Sequence, residues 1–357
     1  MLTETTVMPA SRFNLRQVGA FIALTFGLTW LLDAVLWLTT GYGSGLSALL
    51  FLQAQMLLPA FSAILLGLFF FRDSPIYFRT YRERPRWFLY FFLVYTLVYL
   101  ALAALSIPAS NEARAAFSAI SSSLTLLALL VLLAARGFSS AEAFARANMS
   151  GGRFRDWVLW GLAFVLFYAL QTGLNALFRL GQPVDAAALL LQAGVTGIPS
   201  NLLLPLLGVQ TILVGSLIGL PLGFGEEYGW RGYLQSELVK IGKKRGILIL
   251  GLIWSAWHYP VILMGHNYPG YPLEGVVLMT GYTTLLAFVL GYVVLKTGSV
   301  WLAAFLHALN NQTYAFFASV VYAPSNPIFS FGPGLFGILT LALVVLLILR
   351  DPIWKDD

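Results

Sequence analysis

The sequence predicts an all-α fold, a polytopic transmembrane helix bundle of about ten transmembrane helices with both termini on the cytoplasmic side (N-in and C-in). Three observations carry this expectation. Hydrophobic residues make up 59% of the 357-residue chain and charged residues 10%, with a mean hydropathy of +0.81, far from the balance of a soluble domain. The apolar residues gather in ten runs near the roughly 20 residues that cross a hydrocarbon core of about 30 Å. The basic residues between those runs are distributed unevenly, which orients the chain.

Taken in order, the runs cover 17–39, 46–71, 87–107, 117–135, 157–178, 202–240, 246–264, 275–295, 299–322 and 333–349. The first follows a mixed polar segment and precedes no small-residue cleavage site, so it reads as a retained helix rather than a signal peptide. In the linker Arg136 to Asp156, Ser139, Ser140 and Glu142 stand ahead of Ala143 to Ala147 and predict a short interfacial helix. The sixth run is long and is interrupted at Gly219, Pro221, Gly223 and Gly225, which predicts a kink just ahead of Glu226. Organisation follows as 1–200, N-terminal transmembrane helices of unassigned role; 201–323, a core carrying the polar motifs; and 324–357, a last transmembrane helix with a short cytoplasmic tail.

With alternating spans and the N-terminus inside, the inside segments collect Arg12, the Arg79 to Arg86 cluster, Arg136, Arg146, Lys243 to Arg245, Lys296 and Arg350 among others. Of the 21 basic residues only Arg114 and Arg179 fall outside. A net charge of +6 therefore reports topology and not a nucleic-acid partner. With no cysteine, disulfides, thiolate metal sites and a cysteine nucleophile are excluded.

Chemistry is concentrated in Gly225-Glu226-Glu227-Tyr228-Gly229-Trp230-Arg231, where two carboxylates and a guanidinium sit in an apolar run. A charge at the bilayer centre costs about 3 kcal/mol on insertion scales, so such residues are candidates for function. Glu227 and Arg231 stand four apart on one helix face and predict a structural pair, leaving Glu226 free. His258 and His307 also fall inside spans, with Trp254 one turn before His258 and Asn311 one turn after His307. Counting about 1.5 Å per residue from the Lys243 to Arg245 loop puts Glu226 at about 25 Å and His258 at about 20 Å, similar depths. This depth reading anticipates a buried site reached by water from the cytoplasmic side. Asp33, Gln53, Gln55, Asn175 and Gln210 read as scattered inter-helix hydrogen-bonding groups, and Trp87, Trp157 and Trp301 as interfacial anchors.

Together these residues resemble the signature of the CAAX prenyl protease and bacteriocin-processing (CPBP, or Abi) family of intramembrane proteases. Its E-E-x-x-x-R, F-x-x-x-H and H-x-x-x-N/D blocks read here as Glu226-Glu227-x-x-x-Arg231, Trp254-x-x-x-His258 and His307-x-x-x-Asn311, with Trp254 replacing phenylalanine as a wall of the site. The resemblance spans Gly225 to Gln312. It implies an intramembrane peptidase, multi-pass in the cell membrane of a prokaryote, acting on a peptide or protein substrate, a prenylated C-terminus included, with the lipid bilayer as its other partner. By the same resemblance Glu226 is the general base on water, His258 assists it, and His307 and Asn311 stabilise the oxyanion, with no cofactor. A desolvated carboxylate suits that role, because burial favours proton uptake.

Two alternatives stay open from sequence. In the first, Glu226, His258 and His307 hold zinc with water as fourth ligand, although no H-E-x-x-H is present. In the second, a transporter or non-catalytic scaffold uses the same polar residues as an ion path, yet no inverted repeat is visible.

Overall fold

The computed structural model describes residues 13–355, apart from 44, 193, 195, 196 and 198. Arg12 lies outside them. In lipid an apolar segment must satisfy its backbone internally, so each run becomes helical. The helices are α1 (Leu15–Leu38), α2 (Leu46–Leu65, with a π-helical end Leu66–Phe70), α3 (Arg86–Ser106), α4 (Asn111–Gly137), α5 (Ala141–Arg146), α6 (Phe154–Leu177) and α7 (Ala186–Gln192). They continue as α8 (Leu202–Ile218), α9 (Leu220–Ile241), α10 (Lys243–Leu263), α11 (Pro272–Thr297), α12 (Val300–Phe316) and α13 (Leu335–Ile348). The short α5 occupies the linker where an interfacial helix is expected, and Ser140 caps it by accepting from Ala143 N.

By length and apolarity, seven described helices can cross a membrane, and an eighth if the bent pair α8–α9 is one span. The expected count of about ten is not reached. In α12, His307, Asn310, Asn311 and Gln312 dilute the apolar run. The α13 helix has 14 residues, about 21 Å, short of a core of about 30 Å. The class, a multi-pass integral membrane helix bundle, stands.

Side-chain bonds tie the helix ends into two opposite faces. On one face Asn14 N donates to Glu237, Gln17 to Asp73, Asn148 to the Gly232 carbonyl, Ser299 to the Ser150 carbonyl and Lys243 to the Lys355 carbonyl. Arg146 pairs with Glu83 and Lys296 with Asp351 on the same face, so it is the basic one. At the other end Tyr42 meets His266, Arg114 caps α3 through the Ser106 and Ile107 carbonyls, and Tyr268 donates to the Pro333 carbonyl. A two-stranded antiparallel ribbon, β1 (Gly181–Pro183) with β2 (Tyr322–Pro324), closes that end and pairs Gln182 with Ala323.

One buried apolar cluster draws on residues from Val18 to Trp354. Trp301 belongs to it, 3% exposed and stacked 4.2 Å from Phe224. It is therefore a core residue and not the interfacial anchor expected, because its position at the start of α12 faces α9 and not lipid. Trp87, 63% exposed, does face outward.

Candidate active site

The segment carrying the two glutamates is shaped by its glycines. α8 and α9 meet at Gly219 with a 52° bend, where the sequence anticipates a kink. Beyond it, a Cβ on Gly225 would come within 2.5 Å of the Met56 carbonyl oxygen, and one on Gly229 within 2.6 Å of the Pro59 carbonyl carbon. Only hydrogen at these positions lets the α9 backbone lie directly on α2. From Tyr228 to Leu234 the helix widens into a π-helical stretch, a distortion frequent at functional sites.

Glu227, just ahead of that stretch, meets Arg231 within it, Nη1 to Oε1 at 3.0 Å, with both side chains fully buried. The same Glu227 oxygen also receives His307 Nδ1 at 2.8 Å. His307 Nε2 faces Glu226 Oε1 at 3.8 Å, beyond hydrogen-bonding reach. Glu226 is instead held by Trp254, whose indole Nε1 donates to its Oε2 at 2.9 Å. The Arg231 guanidinium lies over the Trp254 ring, 4.2 Å from its centroid, a cation–π contact in a dry setting. Trp254 is thus more than a wall: it joins Glu226, Arg231 and both motif histidines, whose rings stand 5.7 Å (His258) and 5.6 Å (His307) from its own.

His258 lies one turn on from Trp254, and its Nδ1 meets the Trp254 carbonyl at 2.8 Å. A carbonyl only accepts, so Nδ1 carries the proton and Nε2 is the acceptor. Asn311 is oriented by a chain of groups that sequence reasoning does not single out. Tyr168 and Tyr282 both donate to Asn310 Oδ1, at 2.6 and 3.1 Å. Asn310 Nδ2 donates to Asn311 Oδ1 at 3.1 Å. With that oxygen occupied, the Asn311 amide nitrogen is the end left to donate elsewhere. Tyr168 comes from α6, far from the motifs in sequence, and only the polar Asn310 beside Asn311 hinted at this chain.

Glu226, Trp254, His258, His307 and Asn311 line one cavity of about 620 Å³. Glu227 and Arg231 lie beneath it, buried between α2, α9 and α12. Gln53, expected to be an inter-helix group, also reaches this cavity and accepts from Ser121 at 3.2 Å. Among the described residues no three His, Asp or Glu side chains are grouped to hold a metal ion.

Toward the basic side Trp230, Leu234 and Trp254, each at most 1% exposed, pack beside the cavity. Its remaining lining includes His266, Asn267 and Pro333, which belong to the opposite end of the bundle. Distances of about 25 and 20 Å from the basic loop put Glu226 and His258 in the outer half of a core of about 30 Å, whereas His307, seven residues into α12, lies about 10 Å from its basic end.

Fold and site define a multi-pass membrane protein with a carboxylate, imidazole and amide site buried among its helices. Residues 208–313 match the family model described as Type II CAAX prenyl endopeptidase Rce1-like. That segment, less than a third of the chain, carries all three motifs. No curated protein and no solved structure matches the chain.

Proposed function

We propose that the protein is an intramembrane endopeptidase that hydrolyses a peptide bond with water activated by Glu226 and His258. The observation that supports this reading is the convergence of Glu226, His258, His307 and Asn311, from three separate helices, on one cavity. Glu226 takes a proton from water as the oxygen attacks the substrate carbonyl. Its carboxylate is oriented by Trp254, and the acceptor Nε2 of His258 shares the work of holding the nucleophile. The oxyanion that forms is met by the Asn311 amide and by His307, which donates from Nε2 as an imidazolium while its Nδ1–H is held by Glu227. Donors fixed in advance in a low-dielectric cavity need little reorganisation as charge develops. The proton on Glu226 then passes to the leaving amine. The substrate is a peptide or protein, and a prenylated C-terminus is the class that the family description names.

The test is peptide cleavage by purified protein in lipid. Glu226→Gln and His258→Ala are expected to lower turnover about 100- to 10,000-fold while leaving the protein folded. Full cleavage by Glu226→Gln would overturn the general-base assignment. Chelation is expected to leave the rate unchanged, and loss of activity restored by zinc would replace this mechanism with a metal-assisted one.

A further inference from the structure

We infer that Thr29, on α1, is a positioning residue of the active site: it holds the Trp257 indole by its N–H, and through that ring fixes the aim of His258 Nε2. This rests on the peptidase reading above and gives α1, which lies outside residues 208–313, a part in it.

His258 is tied at one end only. Its Nδ1 donates to the Trp254 carbonyl, and one bond leaves the ring free to turn about that donor. The direction of Nε2 is therefore set by what packs on the ring. Two indoles do this. Trp254 stands 5.7 Å away at 57°, and Trp257 is closer, 4.7 Å between centroids and nearly perpendicular at 85°, an edge-to-face arrangement that aromatic pairs prefer. Trp257 directly precedes His258, and neighbours on a helix point about 100° apart. Contact between their rings thus depends on the rotamer that Trp257 takes.

That rotamer is selected from another helix. Trp257 Nε1 donates to Thr29 Oγ1 at 2.8 Å, with Thr29 wholly buried and Trp257 1% exposed. An indole has one N–H and no acceptor, and leaving it unpaired in a dry interior is costly, so the bond to Thr29 chooses the orientation of the ring. The other side of the indole is met by Trp230 at 5.8 Å and 74°, and Trp230 in turn by Phe21 of α1 at 5.6 Å and 87°. Phe21 and Thr29 stand about two helical turns apart, so α1 supports this aromatic cluster at two points. Trp230 supplies an internal comparison. Its Nε1 is buried with no partner among the described residues, so packing alone can hold an indole here, and the Thr29 bond serves the indole that touches His258. Trp257 also forms part of the cavity wall.

Thr29→Val keeps the branched shape and removes the acceptor, while Thr29→Ser keeps the hydroxyl. In purified full-length protein in lipid, Thr29→Val is expected to lower kcat about tenfold, a part of the loss caused by His258→Ala, with KM unchanged. Thr29→Ser is expected to restore kcat. The chain holds three histidines, His258, His266 and His307, so 15N-histidine NMR of the same samples reads each ring. The His258 signals should move or broaden in Thr29→Val and return in Thr29→Ser, with those of His266 and His307 unchanged. Trp257→Phe keeps a ring beside His258 without the N–H, and carries the same two measurements should Thr29→Val fold poorly. It is expected to match Thr29→Val, and the double variant to lose no more than either. A fall in kcat with the His258 signals unmoved, a change in KM alone, additive losses in the double variant, or no loss at all overturns the inference and leaves the peptidase reading intact. Wild-type protein that cleaves no peptide overturns the peptidase reading, and the NMR comparison still decides whether Thr29 steers the His258 ring.

Discussion

His307 Nδ1 and Arg231 Nη1 converge on a single oxygen of Glu227, at 2.8 and 3.0 Å. The second glutamate of the signature therefore holds a motif histidine in place as well as balancing a cation. Removing Arg231 leaves a buried carboxylate uncompensated, which costs about 3–5 kcal/mol. Arg231→Ala is expected to lower both folded yield and activity, measured by size-exclusion profile and by thermal unfolding in detergent. A variant as stable as wild type but inactive would place Arg231 among the reacting groups instead.

Trp254→Phe separates the two jobs of that ring. Phenylalanine keeps an aromatic face under Arg231 but cannot donate to Glu226. The lost bond to a buried carboxylate costs about 1.5–3 kcal/mol of stability, so unfolding should come earlier and the remaining folded fraction should cleave more slowly than wild type. Equal activity in the two proteins would show that the indole bond does not orient the base.

Asn310 is the junction of the tyrosine chain. Asn310→Ala leaves Tyr168 and Tyr282 bonded only to each other and frees Asn311 to rotate, at a stability cost of about 1–3 kcal/mol. The Tyr282→Phe variant keeps one donor on Asn310 and should lose less activity than Asn310→Ala in the same assay. The opposite ranking would remove this chain from the positioning of Asn311.

The Tyr42–His266 bond, 2.6 Å, links two loops at the non-basic end of the bundle. Burial pulls the His266 imidazole down from 6.5 to about 4. The unfolded chain binds the proton more readily, so stability is complete above about pH 6.5 and is lost as pH falls toward 4. Melting temperature measured between pH 7 and 4.5 should drop, and His266→Gln should flatten that dependence.

Much of this was legible in the chain. Each of the ten apolar runs is helical, because hydropathy reports burial in lipid and lipid demands helix. The bend at Gly219 and the contact of Glu227 with Arg231 follow from local spacing. The number of spans did not follow, since a helix such as α12 keeps polar residues for chemistry and scores poorly for apolarity. Nor did the links to Tyr168, Tyr282 and Gln53, because a tyrosine or glutamine in a span carries no mark of which distant helix it will meet.

Gly229 offers a last measurement of packing. A methyl group there meets the Pro59 backbone, which cannot move aside as a side-chain tip can. Gly229→Ala should destabilise by about 1–3 kcal/mol and reduce activity with it, judged by unfolding and by turnover of the remaining folded fraction. Wild-type behaviour would mean that α2 and α9 can separate at no cost.

That glycine seam also means the signature is not a portable module. Residues 208–313 hold every motif, yet the helix bearing the glutamates is moulded to Met56 and Pro59, and its asparagine is steered by Tyr168. A fragment cut to the signature would present bare backbone grooves to lipid and a loose amide to its substrate. Transplanting the chemistry into another scaffold requires carrying α2 and α6 along with it.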